Sequence, residues 1–233
     1  AGASNCSVVG STVTGTGVGI CTITATKASD ANYLETTATV DINVNKANQT
    51  SLTASASPST IAFNGTTTLD AIGGSSGGAV SFAVTAGKNF CSVTGNLLTG
   101  LDVGSCTVTA TRAGNALYND VSAQVVVTVG RALQTGWAVS GTPSATVSVN
   151  GTVTLSTSGG SGSGAVSLAI TSGAPSCSLS GNVVTGVTPG TCTVTATKAA
   201  DTQYESASAT VDIQVEQAAQ APLAATATPA TIS

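Results

Sequence analysis

Cys106-Thr107-Val108-Thr109-Ala110-Thr111 places Cys, Val and Ala on one side of an extended chain and three threonines on the other. Side chains along a strand alternate faces with period two, so this stretch reads as a half-buried strand, one side on a core and one in water. The same pattern recurs as Cys21-Thr22-Ile23-Thr24-Ala25-Thr26 and as Cys192-Thr193-Val194-Thr195-Ala196-Thr197. A second alternating run follows each: Val40, Ile42, Val44; Val125, Val127, Val129; Val211, Ile213, Val215. Helical periodicity is absent at any useful length. The chain reads as all-β.

The recurrence extends well beyond these strands. Cys6, Cys91 and Cys177 stand 85 and then 86 residues apart, and Cys21, Cys106 and Cys192 share both spacings. So do Tyr33, Tyr118 and Tyr204, while Gln49, Gln134, Gln220 and Pro58, Pro143, Pro229 form further columns. A fixed period of this length marks a repeat architecture in which each copy is one structural unit. Residues 49–133 and 134–219 are read as two complete repeats. Residues 1–48 match the C-terminal half of one, and residues 220–233 match the first strand of another. With no methionine at position 1, the expectation is a processed chain or a segment of a longer array, with a deliberately split subunit as the alternative.

Turn signals divide each copy. Asn64-Gly65 and Asn150-Gly151 predict hairpins, because both central residues tolerate positive φ. Gly95-Asn96 and Gly181-Asn182 mark another tight turn, and Gly73-Gly74-Ser75-Ser76-Gly77-Gly78 reads as a loose connection between strands. About seven short strands in about 85 residues, with turn signals every 8–12, predict an immunoglobulin-like β-sandwich. Each sandwich would touch only its sequence neighbours, giving tandem repeats arranged as an elongated rod. Linkers such as Asn45-Lys46-Ala47-Asn48-Gln49 contain no glycine run and should limit hinge freedom.

Composition removes whole classes of function. Of the 233 residues, 41% are hydrophobic but only 3% aromatic, so the core must be aliphatic. Charged residues make up 7%, against about 25% in an average globular protein. The surface is therefore polar without charge. No histidine is present, which excludes Ser-His-Asp and Cys-His catalysis and His-ligated metal. A net charge of −4 with six basic residues argues against nucleic acid as a partner. No apolar run approaches the length of about 18 residues that suggests a membrane helix. The glycine loops lack the following Lys-Ser/Thr of a phosphate cradle, and no pair of carboxylates recurs. The reading is of a non-enzyme without cofactor or metal.

Each repeat carries one C-x14-C pair, Cys6 with Cys21, Cys91 with Cys106 and Cys177 with Cys192, at the inward phase of their strands. Even number, equal spacing and one pair per repeat predict intradomain disulfides. A zinc site lacks its ligands, and a redox centre would prefer C-x-x-C. Persistent disulfides place the chain outside the cytoplasm. Tyr33, Tyr118 and Tyr204, between the last two strands, are assigned to a packed ring with a bonded hydroxyl at a sandwich corner, ahead of a ligand-binding role.

Other candidates have blander explanations. The threonine rows could suggest an ice-binding face, but one row per repeat is better explained as solvent-side strand chemistry. Trp137 could stack on a sugar; its column also holds Leu52 and Leu223, which favours packing. Lys27, Arg112 and Lys198, followed by Asp30, Asn115 and Asp201, could suggest an isopeptide bond or Ca²⁺. Arg112 cannot form that bond, and calcium wants six to eight oxygens, so solvated loops are favoured. Asn5, Asn48, Asn64 and Asn150 lie in N-x-S/T triplets and are candidate glycosylation acceptors.

The run Gly190-Thr191-Cys192-Thr193-Val194-Thr195-Ala196-Thr197-Lys198-Ala199-Ala200-Asp201, continuing to Tyr204, resembles bacterial Ig-like repeats found in tandem in large surface adhesins and extracellular fibrous proteins. The resemblance covers essentially the whole chain. It implies a spacer or stalk without an active site, with neighbouring repeats as partners and any host or surface glycan or protein bound by other domains. Arg112 and Asn115 depart from the Lys/Asp of the other copies. Three functional expectations follow: an extracellular stalk of a cell-surface adhesin or fibre, a self-assembling filament or sheath completed by strand exchange, and a carbohydrate-binding module using Trp137.

Overall fold

The computed structural model describes residues 5–226, so Pro229 and the second half of the segment 220–233, where a first strand is expected, lie outside the described residues. Apart from one 3₁₀ turn, Ala174–Ser176, the regular structure among the described residues is β-strand. The chain divides into two compact units, one ending at Gly130 and one beginning at Arg131.

The first unit opens with two hairpins, β1 (Cys6–Val9) with β2 (Thr12–Gly15) and β3 (Gly19–Lys27) with β4 (Thr36–Val44). Eight strands follow: β5 (Leu52–Ser57), β6 (Thr60–Ala62), β7 (Thr66–Gly73), β8 (Val80–Ala86), β9 (Cys91–Thr94), β10 (Leu97–Gly100), β11 (Gly104–Arg112) and β12 (Val121–Gly130). They form two four-stranded sheets, β5-β7-β10-β9 and β6-β12-β11-β8. Counted along the chain with β5 and β6 as one broken strand, this is the ABED and GFC order of a constant-type immunoglobulin sandwich.

The second unit repeats the plan with β13 (Ala138–Thr142), β14 (Thr146–Ser148), β15 (Thr152–Ser158), β16 (Val166–Ser172), β17 (Cys177–Ser180), β18 (Val183–Gly186), β19 (Gly190–Lys198) and β20 (Ala207–Glu216). Its sheets are β13-β15-β18-β17 and β14-β20-β19-β16. Residues 217–226 carry no strand.

Each plan has eight strands rather than the seven expected, because proline breaks the first one. Pro58 and Pro143 have no N–H for a ladder, and the chain changes sheets there. β5 pairs antiparallel with β7, whereas β6 pairs parallel with β12 through Ile61↔Val129. The Thr67 hydroxyl donates to the freed Pro58 carbonyl at 2.6 Å.

This break also changes what the Asn-Gly pairs do. Asn64 and Asn150 do adopt positive φ, 62° and 66°. Gly65 N–H closes on Ala62 at 2.8 Å and Gly151 N–H on Ser148 at 2.8 Å. The strands they join lie in different sheets, so these turns carry the chain across the sandwich instead of closing hairpins. The tight hairpins are at Gly95-Asn96 and Gly181-Asn182, where Thr94 pairs Leu97 and Ser180 pairs Val183. Positive φ falls on the first central residue alone, the type II′ pattern that glycine supplies without steric cost.

Period two becomes burial. In β11, Cys106, Val108 and Ala110 are at most 1% exposed, and Val127 and Val129 of β12 face them at 0% and 1%. Leu69 and Leu98 close the core from the other sheet, while Phe82 and Phe90 pack at its margin. Each fully buried Val or Leu contributes roughly 1.5–3 kcal/mol. In the first two hairpins the same inward column is open: Val40 is 58% exposed and Ile42 37%.

Candidate functional site

Every copy of the cysteine pair is joined. Cys6–Cys21, Cys91–Cys106 and Cys177–Cys192 have Cα separations of 5.9, 6.2 and 6.2 Å. In both complete sandwiches the bridge runs from an edge strand of one sheet, β9 or β17, to a central strand of the other, β11 or β19. These cysteines lie inside the cores, none more than 3% exposed. Each is part of the hydrophobic cluster, out of reach of solvent.

The residues that organise the surface are at one end of each sandwich, where the loop carrying the tyrosine meets the incoming linker. Asp30, Asn115 and Asp201 each build the same turn. Asn115 Oδ1 accepts from Leu117 N–H at 2.8 Å and Tyr118 N–H at 3.0 Å. Asp30 Oδ1 does so with Asn32 and Tyr33, and Asp201 Oδ1 with Gln203 and Tyr204. Asx side chains favour this because their oxygen reaches the backbone two residues on. The tyrosine ring varies: Tyr33 is 73% exposed, and Tyr118 and Tyr204 are half-buried. What the column shares is a backbone conformation.

That backbone binds the linker. Ala47 N–H donates to Leu117 at 2.8 Å and Asn119 N–H donates to Ala47 at 2.9 Å, a parallel bridge beside Tyr118. Ala132 makes the same pair of bonds with Gln203 and Glu205, both 2.9 Å, beside Tyr204.

Two residues further on, Gln49 enters the sandwich end and is 9% exposed. Its amide nitrogen donates to Asn119, Arg112 and Ala113 carbonyls at 2.7, 3.2 and 3.4 Å. Its oxygen accepts from Ser75 and Ser76 N–H, both at 3.0 Å. Gln134 repeats the arrangement, reaching Glu205, Ala199 and Gly162 at 2.8, 3.3 and 3.2 Å. In the sequence the glutamine column is a bare recurrence that indicates no role. A perfectly repeated, uncharged polar residue between two apolar strands was the available signal.

The glycine-rich loop is therefore pinned and not loose. Arg112 donates to Gly78 at 2.9 Å, Asn115 Nδ2 to Ser76 at 2.8 Å and the Ser76 hydroxyl to Ala113 at 2.6 Å. Gly74, at φ +76°, has Arg112 and Gln49 pressed so close that a Cβ would collide with both; Gly160 is held the same way by Gln134 and Lys198. Arg112 and Lys198 of the basic column thus both bind loop carbonyls, Lys198 reaching Gly160 at 3.1 Å.

Asp201 differs from its neutral counterpart Asn115 by one charge. Its carboxylate accepts from the backbone N–H groups of Ser163, Gln203 and Tyr204, which lower its pKa from 3.8 to about 2. Hydrogen bonds to the charged form favour it. A depressed folded-state pKa contributes stability above the ordinary carboxylate range and loses it as pH falls toward 2. The Ser163 and Tyr204 amide resonances are expected to titrate with a midpoint near 2. Asn115 carries no ionisable carboxylate to its Leu117 and Tyr118 amides, and Asp201→Asn should abolish the transition at Ser163 and Tyr204. A midpoint at or above 3.8 would contradict this account.

Trp137 donates its indole N–H to the Ala196 carbonyl at 3.1 Å, and Lys198 stands 5.5 Å from its ring centre. Of the sequon asparagines, Asn48 Oδ1 accepts from Asn119 at 3.0 Å, Asn64 and Asn150 occupy the crossing turns, and Asn5 O caps Thr16 and Gly17. Among the described residues no group of three or more Cys, Asp or Glu is placed to hold a metal ion.

No family model matches the chain and no curated protein is similar to it. Among solved structures it is similar to domains 4 and 5 of the S-layer protein SbsC, at 18% identity and a TM-score of 0.30, over 72% of this chain and 99% of that one. Murine CEACAM1b is similar at 15% and 0.31, over 72% of this chain and all of that one (100%). The C-terminal 282-residue fragment of intimin is similar at 21% and 0.28, over 72% and 64%. These likenesses are slight, and no functional conclusion rests on them.

Proposed function

We propose that the chain is a structural extracellular protein, a spacer or stalk of tandem disulfide-bonded Ig-like repeats in a bacterial surface adhesin or fibre, with no catalytic activity of its own. The observation that carries this reading is the buried disulfide tying one sheet to the other in each complete sandwich. Such bonds persist in oxidising compartments and are rare in the cytosol. The linker supports it too. Only Asn45 and Lys46 stand between the end of β4 and Ala47, which is already bonded to Leu117, so little slack is available. A sugar-stacking role for Trp137 is disfavoured because the side chain is half-buried and Lys198 stands over its ring at 5.5 Å.

Lys27, Lys46 and Lys88 are exposed and report on location. Intact producing cells treated with a membrane-impermeant amine reagent should yield the chain modified at these lysines without lysis. Modification that appears only after lysis would overturn the proposal.

A further inference from the structure

We infer that two strand edges, Val80–Val84 in β8 and Val166–Ile170 in β16, pair antiparallel with the same edges of a second copy of this chain. Each lies in a complete eight-strand plan and has one neighbour only, β11 or β19, so its other side is open by topology.

The register shows which groups face outward. Ala113 N–H donates to the Ala79 carbonyl at 3.0 Å, and Ala199 N–H to Ala165 at 2.9 Å. Bonded and non-bonded pairs alternate along an antiparallel ladder. Ser81 and Ala83 therefore serve β11, while the N–H and C=O groups of Val80, Phe82 and Val84 point away from it. Val166, Leu168 and Ile170 stand the same way beside β19. Bulges at Thr85 and Thr171 end the flat stretch.

Such an edge is a template for another strand unless charge, proline or shortness blunts it. The other edges of both sandwiches are blunted. β6, β9, β14 and β17 have three or four residues, and β5 and β13 stop at Pro58 and Pro143. β8 and β16 contain no charge, proline or glycine.

The sequence of these edges selects a second copy as the occupant. Val80-Ser81-Phe82-Ala83-Val84 and Val166-Ser167-Leu168-Ala169-Ile170 read nearly alike in both directions. Antiparallel pairing about Phe82 sets Val80 against Val84 of the second copy, Ser81 against Ala83 and Phe82 against Phe82. Pairing about Leu168 matches the second edge equally well. The outward N–H and C=O groups then bond one another, and the half-buried side chains meet on the core side. An open depression lies there in each sandwich, about 460 Å³ beside Phe82 and the Gly95-Asn96 turn and about 400 Å³ beside Leu168 and Gly181-Asn182. Five facing residues are a small part of the roughly 20–30 per side of a stable interface. One such contact should be weak, with Kd on the order of 0.1–1 mM.

This pairing goes beyond the stalk reading, and the surface-labelling result does not depend on it. The test is sedimentation velocity and amide exchange by NMR on the full chain from about 20 µM to about 1 mM, spanning that Kd. Association should grow with concentration. Exchange at the Val80, Phe82, Val84, Val166, Leu168 and Ile170 amides should slow about twofold to fivefold at the top of the range, by mass action. The Ser81 and Ala83 amides should be protected at every concentration. Lysine at Ser81, Ala83, Ser167 and Ala169, all exposed, sets like charges directly opposite and should weaken association at least about tenfold. Val80→Pro with Val166→Pro removes outward donors without touching the β11 and β19 ladders and should weaken it too. A monomer throughout the range overturns the inference. So does association that leaves the outward amides unchanged, or that neither set of variants weakens.

Discussion

Replacing Cys91 and Cys106 together by alanine is expected to cost the sandwich of β5–β12 about 2–5 kcal/mol, the usual loss when a native disulfide is removed from a small domain. The bridge closes a loop with a sequence separation of 15, worth roughly 3 kcal/mol of unfolded-state entropy in the chain-entropy model. Against a total of about 5–15 kcal/mol for a typical domain, that is a large fraction. This core has little else in reserve. Besides Cys106 and Ala110, its fully buried side chains are Leu69, Leu98, Val108, Val127 and Val129, with no fully buried aromatic ring among them. The bridge also adds a covalent tie between the two sheets inside the core, where they otherwise meet through side chains.

Alanine avoids stranding a hydroxyl in an apolar cluster, so the loss would report the crosslink and the missing sulfur volume. Urea unfolding of the whole chain, with and without reductant, is the measurement. The midpoint should fall in the double variant, and reductant should then have no further effect on that repeat. Equal midpoints for oxidised, reduced and double-alanine chains would show that the bond contributes nothing.

Gln49→Ala should be the most damaging change outside the cysteines and the hydrophobic core. The side chain makes five hydrogen bonds in a nearly closed site. Its removal strands the N–H groups of Ser75 and Ser76 and the Asn119 carbonyl. A buried polar group left without a partner costs about 1–3 kcal/mol. Water entering from the rim recovers part of that, so the expected loss is about 2–4 kcal/mol. Gln134→Ala should cost less, because that residue makes three such bonds and is half-buried.

Gln49→Glu is the sharper variant. It keeps the acceptor for Ser75 and Ser76 but points a second oxygen at three carbonyls, so it should be no better than alanine. Hydrogen exchange locates the effect: the Ser75, Ser76, Ala47 and Asn119 amides should lose protection before those of β11. Protection unchanged in Gln49→Ala would remove the glutamine from its assigned place.

The parts of the fold that were legible in the sequence are those governed by local periodicity. Cys106 to Thr111 shows its buried face at sight, and the Gly95-Asn96 hairpin needs only its own residues. The strand split at Pro58 was readable in principle, since proline cannot donate to a ladder, but which sheet receives Thr60–Ala62 depends on β12, nearly seventy residues away. The Asn64 turn shows the same limit. Its positive φ is a local property, whereas hairpin or crossing is decided by where the next strand pairs.

Gln49 was the least legible. Its partners lie at Ser75 and between Arg112 and Asn119, and nothing adjacent to it hints at them. The glycine-rich loop misled for the same reason: its composition reads as slack, and its restraint comes from Arg112, Asn115 and Gln49. The tyrosine column drew attention to rings, while the loop's shared property is the backbone turn made by Asp30, Asn115 and Asp201.

The parallel pairing of β6 with β12 has a mechanical consequence. A pull that draws the start of a repeat one way and its end the other acts along two neighbouring strands in opposite senses. The bonds around Thr60↔Thr128, Ile61↔Val129 and Ala62↔Gly130 are then sheared together instead of being unzipped in turn. The parallel bridge of Ala47 at Tyr118 is loaded in the same sense. Resistance to tension is thus concentrated where force enters and leaves the sandwich, in the short ladder created by the proline break.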